Sequence, residues 1–271
     1  MITSLSNPLI KKTARLRQKK GRQEQRLYLA EGIHLASEAI KAGAPIRRFF
    51  WSSRLTATLE GELLLQELQR RFAGDEVSEA VLEKICETEN PQGVAITIAL
   101  PENPVWDPAG WRLGLIVDGL QDPGNVGTII RTAWAAGVDG LLLTPGTADP
   151  YQGKAVRASQ GGIFYQRIFQ DLTPKQIMEQ IGARAGQTRI QLVAGDPGAI
   201  QNLFEIDLQP PTIFLIGNEG NGWRPEWEKK FLKRVKIPQP GGAESLNVSV
   251  ATGILVYEAI RQRLLVDTCK N

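Results

Sequence analysis

Three short stretches of the chain combine glycine, asparagine and a few polar side chains in patterns suited to ligand chemistry. The first, Asp118-Gly119-Leu120-Gln121-Asp122-Pro123-Gly124-Asn125-Val126-Gly127, follows an apolar run and opens an amphipathic one. Pro123-Gly124 makes a turn, and Asn125 suits the cap of the helix after it. In that helix Val126, Ile129, Ile130, Ala133 and Trp134 form one apolar stripe. Arg131 falls roughly 130° from the centre of the stripe at about 100° per residue. It is therefore either a solvated surface arginine or a cation that reaches across the mouth of a sheet. The second stretch, Leu215-Ile216-Gly217-Asn218-Glu219-Gly220-Asn221-Gly222-Trp223, holds glycines that let backbone approach a ligand closely. Its order is G-x-x-G-x-G and not the dinucleotide fingerprint G-x-G-x-x-G, which leaves an adenosine contact or a plain tight turn. In the third, residues 237–251, a Pro/Gly loop leads to Ser245 at a capping position and to a helix that is apolar almost all round. Such a helix must be buried, so Ser245 and Asn247 at its mouth either cap it or face a ligand.

The elements that would carry these loops alternate between strand and helix. Strands are expected at Leu113–Val117, Gly140–Leu143, residues 189–193, Thr212–Ile216 and residues 234–237. Helices are expected at residues 126–136, 155–160, Pro174–Ala183, 225–231 and 246–263. That alternation predicts a mostly parallel sheet with helices on both faces, whose ligands bind at the carboxyl ends of the strands. The first hundred residues read as a smaller α/β unit. It has a helix around Ile33–Ile40, a strand at residues 47–51, helices around Leu63–Leu68 and Val81–Ile85, and a β-branched strand at residues 93–100. The proline-rich stretch 101–111 between the two is the linker, giving domains at 1–100 and 112–271.

Several classes of protein drop out on composition. His34 is the only histidine, and Cys86 and Cys269 are the only cysteines, which leaves a Cys/His zinc site and a His-dependent triad nearly impossible. No apolar run approaches the roughly 20 residues of a spanning helix, so the chain is expected without a membrane and, with so few cysteines, in a cytoplasm. The formal charge is only +3, but residues 1–28 carry eight basic side chains against the single acid Glu24. This asymmetry fits contact with a polyanion. A solvated helix face and a targeting leader are the competing readings of the same stretch. The leader fits poorly, because the basic run passes straight into Leu27-Tyr28-Leu29-Ala30-Glu31-Gly32.

Together the three loops resemble the signature motifs of the SpoU/TrmH family of RNA 2′-O-ribose methyltransferases. The matching residues are Asn125-x-Gly127-x-x-x-Arg131, then Gly217-Asn218-Glu219-Gly220-x-Gly222, then Ser245-Leu246-Asn247-Val248-Ser249-Val250-Ala251-x-Gly253. The resemblance spans residues 112–271 and includes Lys154-Ala155-Val156-Arg157-Ala158-Ser159-Gln160-Gly161. Trp223, where an aliphatic residue is more usual, departs from it. Ser6-Asn7-Pro8, Glu31-Gly32 and Pro91-Gln92-Gly93 resemble the small L30e-like substrate-binding domain of the rRNA-modifying members.

The resemblance implies a C-terminal α/β trefoil-knot (SPOUT) domain after a small L30e-like α/β domain, a homodimer, and S-adenosylmethionine as cofactor without any metal. It places the cofactor on Gly217, Ile237 and Leu246, with Leu215, Asn218, Leu143 and Thr144. It gives the chemistry to Arg131, with Glu219 holding Arg131 or neutralising charge near the sulfonium, and Asn125, Ser245 and Asn247 positioning ribose and loops. A free guanidinium, with a pKa above about 12, is a poor base near neutrality. Arg131 is therefore expected to stabilise developing alkoxide. RNA, most of all rRNA, would be gripped by Lys11, Lys12, Arg15, Lys19, Arg22, Arg26 and Arg157. The alternatives are a tRNA enzyme of the same family and a non-catalytic RNA-binding relative, which would be expected to have lost Asn125, Arg131 or Glu219.

Overall fold

The basic N-terminal stretch is folded. Asn7 accepts a hydrogen bond from Leu9 N and caps helix α1 (Pro8–Ala14), with Pro8 in the first turn where its missing N–H costs nothing. Ile10 and, just beyond, Leu16 are buried in the core. Helix α2 (Lys19–Gln25) ends at Arg26 in the left-handed region and leads into strand β1 (Leu27–Glu31). There follow α3 (Ile33–Lys41), β2 (Ile46–Trp51), α4 (Leu59–Arg71), β3 (Gly74–Glu76), α5 (Glu79–Ile85) and β4 (Val94–Ala99). Thr58 and Ser78 cap α4 and α5. The strands form a four-stranded sheet in the order β1-β4-β2-β3, antiparallel except for the β2–β3 pair. Ile10, Leu16, Leu29, Phe50, Val81, Leu82 and Ile85 pack against one another within it.

The computed structural model describes residues 1–102, 105–183, 190–218, 220, 222–227 and 232–268, with side chains of the last helix to residue 265. It divides into two compact units, Met1–Glu102 with Asp149–Tyr165, and residues 103–148 with 166–271. The second unit begins with β5 (Leu113–Val117), α6 (Pro123–Ala135) and β6 (Gly140–Leu143). The chain then supplies α7 (Gly153–Ala158) to the first unit. It continues in the second with β7 (Ile168–Phe169), α8 (Pro174–Ala183), β8 (Gln191–Gly195), β9 (Thr212–Ile216), β10 (Leu232–Val235) and α9 (Val248–Thr268). These six strands form a wholly parallel sheet in the order β10-β8-β9-β5-β6-β7.

Several boundaries differ from the sequence expectations for physical reasons. Residues 149–165 were read as part of the second domain but pack with the first. Arg22 pairs with Asp149 at 2.6 Å, and the Tyr28 and Tyr151 rings lie 5.0 Å apart. Trp106 and Trp111, inside the stretch read as linker, are buried in the core of the second unit, with ring centroids 5.6 Å apart. β10 lies two residues earlier than expected, because its register is set by pairing Leu232 to Leu192 and Val235 to Gly195. The helix expected at residues 225–231 is a single 3-10 turn, Pro225–Trp227, with 228–231 outside the described residues. Among the described residues no helix is long and apolar enough to cross a membrane, and no cluster of His, Cys, Asp and Glu could hold a metal ion.

Candidate functional site

All three loops lie in the second unit, two of them directly after strand ends. The first follows β5. Its helix cap is Asp122, whose carboxylate accepts from Asn125 N at 2.8 Å, so α6 starts at Pro123 and Asn125 is not the cap. The Asn125 amide oxygen accepts from Asn247 Nδ2 at 3.1 Å. The third loop ends at Asn247. There Oδ1 accepts from Ser249 N at 2.9 Å and Ser249 Oγ at 2.6 Å, so the cap of α9 is Asn247 and not Ser245. One asparagine thus caps α9 and ties it to α6.

The second loop follows β9. Asn218 N and O exchange hydrogen bonds with Gly222 O and N at 2.8 and 2.9 Å, which closes the loop into a tight hairpin. Only glycine fits at 217, where a Cβ would stand 2.5 Å from the Gly222 carbonyl carbon and 2.6 Å from Trp223 N. The Asn218 side chain donates to Gly119 O at 3.0 Å and so joins this loop to the first. Beneath them Asp118 is 2% exposed. Its carboxylate accepts from Thr144 Oγ1 at 2.7 Å, Arg224 N at 2.8 Å and Trp227 Nε1 at 3.0 Å. A buried carboxylate needs that many donors, and Asp118 is a structural hub of the loop ends.

The second and third loops line one cavity of about 600 Å3, within the usual range for small-molecule sites. Gly217, Asn218, Ile237, Ser245, Leu246 and Asn247 are on its wall as expected. Leu215 is buried in the sheet core, Leu143 is buried at the end of β6, and Thr144 is occupied with Asp118 and Gly119 N. None of these three lines the cavity. The wall also holds residues that the sequence reading missed: Asp196 and Pro197 after β8, and Trp223, Arg234 and Gln239. Arg234 pairs with Asp196 and lies 5.8 Å from the centre of the Trp223 ring, so the unusual tryptophan is one layer of a stacked wall. Proximity to a strand end was the only signal that could have marked Asp196.

Gln239 tests whether an adenosine-type cofactor fits. The residue lines the cavity, and its Oε1 is buried without a hydrogen-bond partner among the described residues. Such an acceptor suits an amine donor of a ligand. Ile216, Ile237, Leu246, Val248, Ala251 and Leu255 supply an apolar wall opposite the polar groups. Gly217 lets the hairpin backbone at Gly222 and Trp223 close against it at the cavity wall.

Arg131 is exposed on α6, on the side away from buried Val126, Ile129, Ile130 and Ala133, and has no ionic partner among the described residues. It does not line the cavity, and Trp134, assigned to the buried stripe, is 38% exposed. Glu219 lies outside the described residues. Of the basic residues expected to meet RNA, Lys11, Lys12 and Lys19 are exposed, Arg15 pairs with Glu24, and exposed Arg26 donates to Pro101 O. Arg22 departs from that expectation. It is 3% exposed and binds Asp149, Leu16 O and Arg17 O, so it holds the fold together and presents nothing to a phosphate. Arg157 pairs with Glu31 and Glu87.

A parallel α/β sheet with a glycine-lined cavity at the carboxyl ends of its strands defines a nucleotide-type cofactor protein. Residues 112–257 match the SpoU rRNA methylase family and residues 7–95 match the MRM3-like substrate-binding domain. The chain belongs to the SpoU rRNA methylase family. It is 38% identical to an uncharacterized tRNA/rRNA methyltransferase of Synechocystis, over 98% of this chain and 96% of that one. It is 34% identical to the 23S rRNA (guanosine-2′-O)-methyltransferase RlmP of Bacillus subtilis, over 94% and 97% of the two chains. The structure of the SpoU methyltransferase AviRb from Streptomyces viridochromogenes, in complex with AdoMet, superposes with a TM-score of 0.84 at 30% identity, covering 95% of this chain and 98% of that one.

Proposed function

We propose that this chain transfers a methyl group from S-adenosylmethionine to a ribose 2′-hydroxyl of structured RNA, with rRNA as the substrate. The observation that carries this reading is the joining of the three family loops by two asparagine bonds, Asn247 to Asn125 and Asn218 to Gly119, beside the Gly217 cavity. The substrate class is supported by the rRNA specificity in the name of the Bacillus relative and by the substrate-binding match at residues 7–95.

The cofactor, when bound, supplies a methyl group already activated on a sulfonium. Gly217, Ile237 and Leu246 would hold it, the Gln239 amide would offer its oxygen to the amine, and the apolar wall would exclude water. The 2′-oxygen must pass its proton to water and meet the methyl carbon in line, within roughly 3–3.5 Å, opposite the sulfur that would leave as a neutral thioether. Arg131 stabilises the alkoxide that develops and orients a neighbouring phosphate. Asn125 and Asn247 fix the relation of α6 to the cavity, Ser245 positions the ribose, and Glu219 holds Arg131 or neutralises charge near the sulfonium.

Arg131 reaches a reacting ribose through the partner subunit of a homodimer. Val250, Tyr257 and Leu264 repeat every seven residues along α9 and are all exposed, and exposed Trp134 stands on α6, which packs against α9. A solvent-facing apolar line of this kind is what a second copy would cover. The trefoil knot and a cytoplasmic location follow from the same family reading.

The test is transfer of labelled methyl from S-adenosylmethionine to unmodified rRNA and, separately, to tRNA, with Arg131→Ala alongside. Label entering rRNA at a ribose and lost in Arg131→Ala is the expected result. Label in tRNA alone would move the substrate to tRNA. Absence of both label and cofactor binding would overturn methyl transfer itself.

A further inference from the structure

Three stretches singled out in the sequence, Glu31-Gly32, Pro91-Gln92-Gly93 and residues 154–161, converge on a cleft of the first unit that methyl transfer leaves unused. The cleft encloses about 370 Å3, and none of its lining residues belongs to the cofactor cavity. At its floor Glu31 is buried. Its carboxylate accepts from Glu87 N at 2.6 Å, Thr88 N at 3.3 Å and Thr88 Oγ1 at 3.0 Å. Arg157 Nη1 lies 3.5 Å from the same carboxylate, buried and without a hydrogen bond, while Nη2 pairs with Glu87 at 3.4 Å. One cation faces two carboxylates, so the floor carries no surplus positive charge and does not suit a phosphate.

The rim is neutral and rich in amides: Asn90, Gln92 and Gln160, with the imidazole of His34. Gln92 Oε1 accepts from Ile33 N, the first N–H of α3, at 3.2 Å. This approach requires glycine at 32, where φ is +95° and a Cβ would stand 2.8 Å from that oxygen. His34 is the only histidine in the chain, and its exposed ring touches the backbone through Nε2, 3.3 Å from Gln160 O. Side-chain amides match the hydrogen-bonding edges of a base, and an imidazole provides a stacking face. The space is at the small end of the roughly 300–1,000 Å3 found for ligand sites.

We propose that this cleft takes an unpaired nucleobase of the RNA, with His34 stacked on its face and the Gln92 and Asn90 amides reading its edge. The proposal rests on the reading of the chain as an RNA methyltransferase and adds to it where and how the substrate is recognised.

Binding of the full chain to an unmodified 23S rRNA transcript, measured at several salt concentrations and one pH, tests it. His34→Ala should weaken binding about tenfold at every salt concentration, with the slope against log salt and the affinity for S-adenosylmethionine unchanged. His34→Phe, which keeps a stacking face, should bind within about twofold of the unsubstituted chain. Lys12→Ala provides the contrast, because loss of a phosphate contact lowers the slope by about one. Unaltered binding by His34→Ala overturns the proposal, as does His34→Phe binding as weakly as His34→Ala. A fall in slope like that of Lys12→Ala assigns the cleft to a phosphate and overturns it too. Failure of the unsubstituted chain to bind the transcript overturns the RNA reading, and the cleft with it, before any variant is compared.

Discussion

The two units tie distant segments together by different means, although each also buries a carboxylate, Asp118 in the second and Glu31 in the first. In the second, neutral groups join the loops: Asn247 to Asn125, Asn218 to Gly119, and a hairpin closed by backbone bonds beside Gly217. In the first, charges join distant parts of the chain: Arg22 to Asp149, and Arg157 to Glu31 and Glu87. Neutral amide bonds each contribute about 1 kcal/mol and set geometry. Buried charge pairs add little net stability when intact but cost several kcal/mol when half is removed. Substitutions at these charge pairs of the first unit should therefore act on folding, and those at the joined loops of the second on binding and turnover.

The largest effect is expected from Arg22→Leu. It leaves Asp149, with a side chain 13% exposed, facing an apolar group, together with two backbone carbonyls. Stability of the first unit should fall by about 3–5 kcal/mol, read from urea unfolding and from hydrogen exchange in residues 149–165. Cofactor affinity should hold. A loss below about 1 kcal/mol would mean that the pair does not anchor this segment. Gly217→Ala comes next and reverses the pattern. The new Cβ meets backbone at Gly222 and Trp223, which cannot yield as a side chain would. Overpacking of this kind costs about 1–3 kcal/mol, here as weaker binding of S-adenosylmethionine in calorimetry with the first unit unaffected. Normal cofactor affinity in this variant would remove the hairpin from the cofactor site.

Alkaline titration separates the units further. Burial pushes the Tyr28 phenol, and with it Tyr151, well above the ordinary tyrosine value, and both belong to the first unit. An acid whose folded pKa is raised stabilises the fold fully below its unfolded pKa and loses that contribution as pH climbs above it. The first unit should thus weaken once pH passes about 10. Tyr28 and Tyr151 should ionise only as it opens, seen as phenolate absorbance rising together with loss of ellipticity. Tyr151→Phe should move the transition to higher pH. A transition unmoved by this substitution would assign alkaline unfolding to other groups.

The same contrast explains what could be read from the sequence. The loop after β5 and the loop after β9 are each contiguous and begin where a strand ends, so alternation and local residue types mark the glycine-rich stretch around Gly217 and Asn218, whereas Ile237 and Leu246 are reached only through the family resemblance. The cap of α6 falls on Asp122 and not Asn125, although both are good caps, because the Asp122 carboxylate accepts from Asn125 N while the Asn125 amide oxygen accepts from Asn247, 122 residues away. In the first unit Arg22 sat among solvated basic residues in the sequence. Its burial depends on Asp149, 127 residues distant, and no local pattern carries that pairing. Apolar composition alone made α9 look buried all round, yet Val250, Tyr257 and Leu264 face outward. Periodicity shows that such residues share a face but not whether that face meets the same chain or another.

The smallest effect, and the finest test of the contrast, is Asn247→Ser. Serine ranks with asparagine as a helix cap, so α9 should keep its stability within a few tenths of a kcal/mol. The bond to Asn125 is lost, because serine is too short to bring a donor to that amide oxygen. If the bond positions α6 against the cavity, turnover should fall several-fold while cofactor affinity and unfolding midpoint stay put. Asn125→Ala removes the same bond from the other side and should lower turnover by a similar factor. Two residues that act through one shared bond are not additive, so the double variant should be no slower than the slower single one. Multiplying losses would mean that each asparagine touches the substrate on its own account, and that their mutual bond is incidental to catalysis.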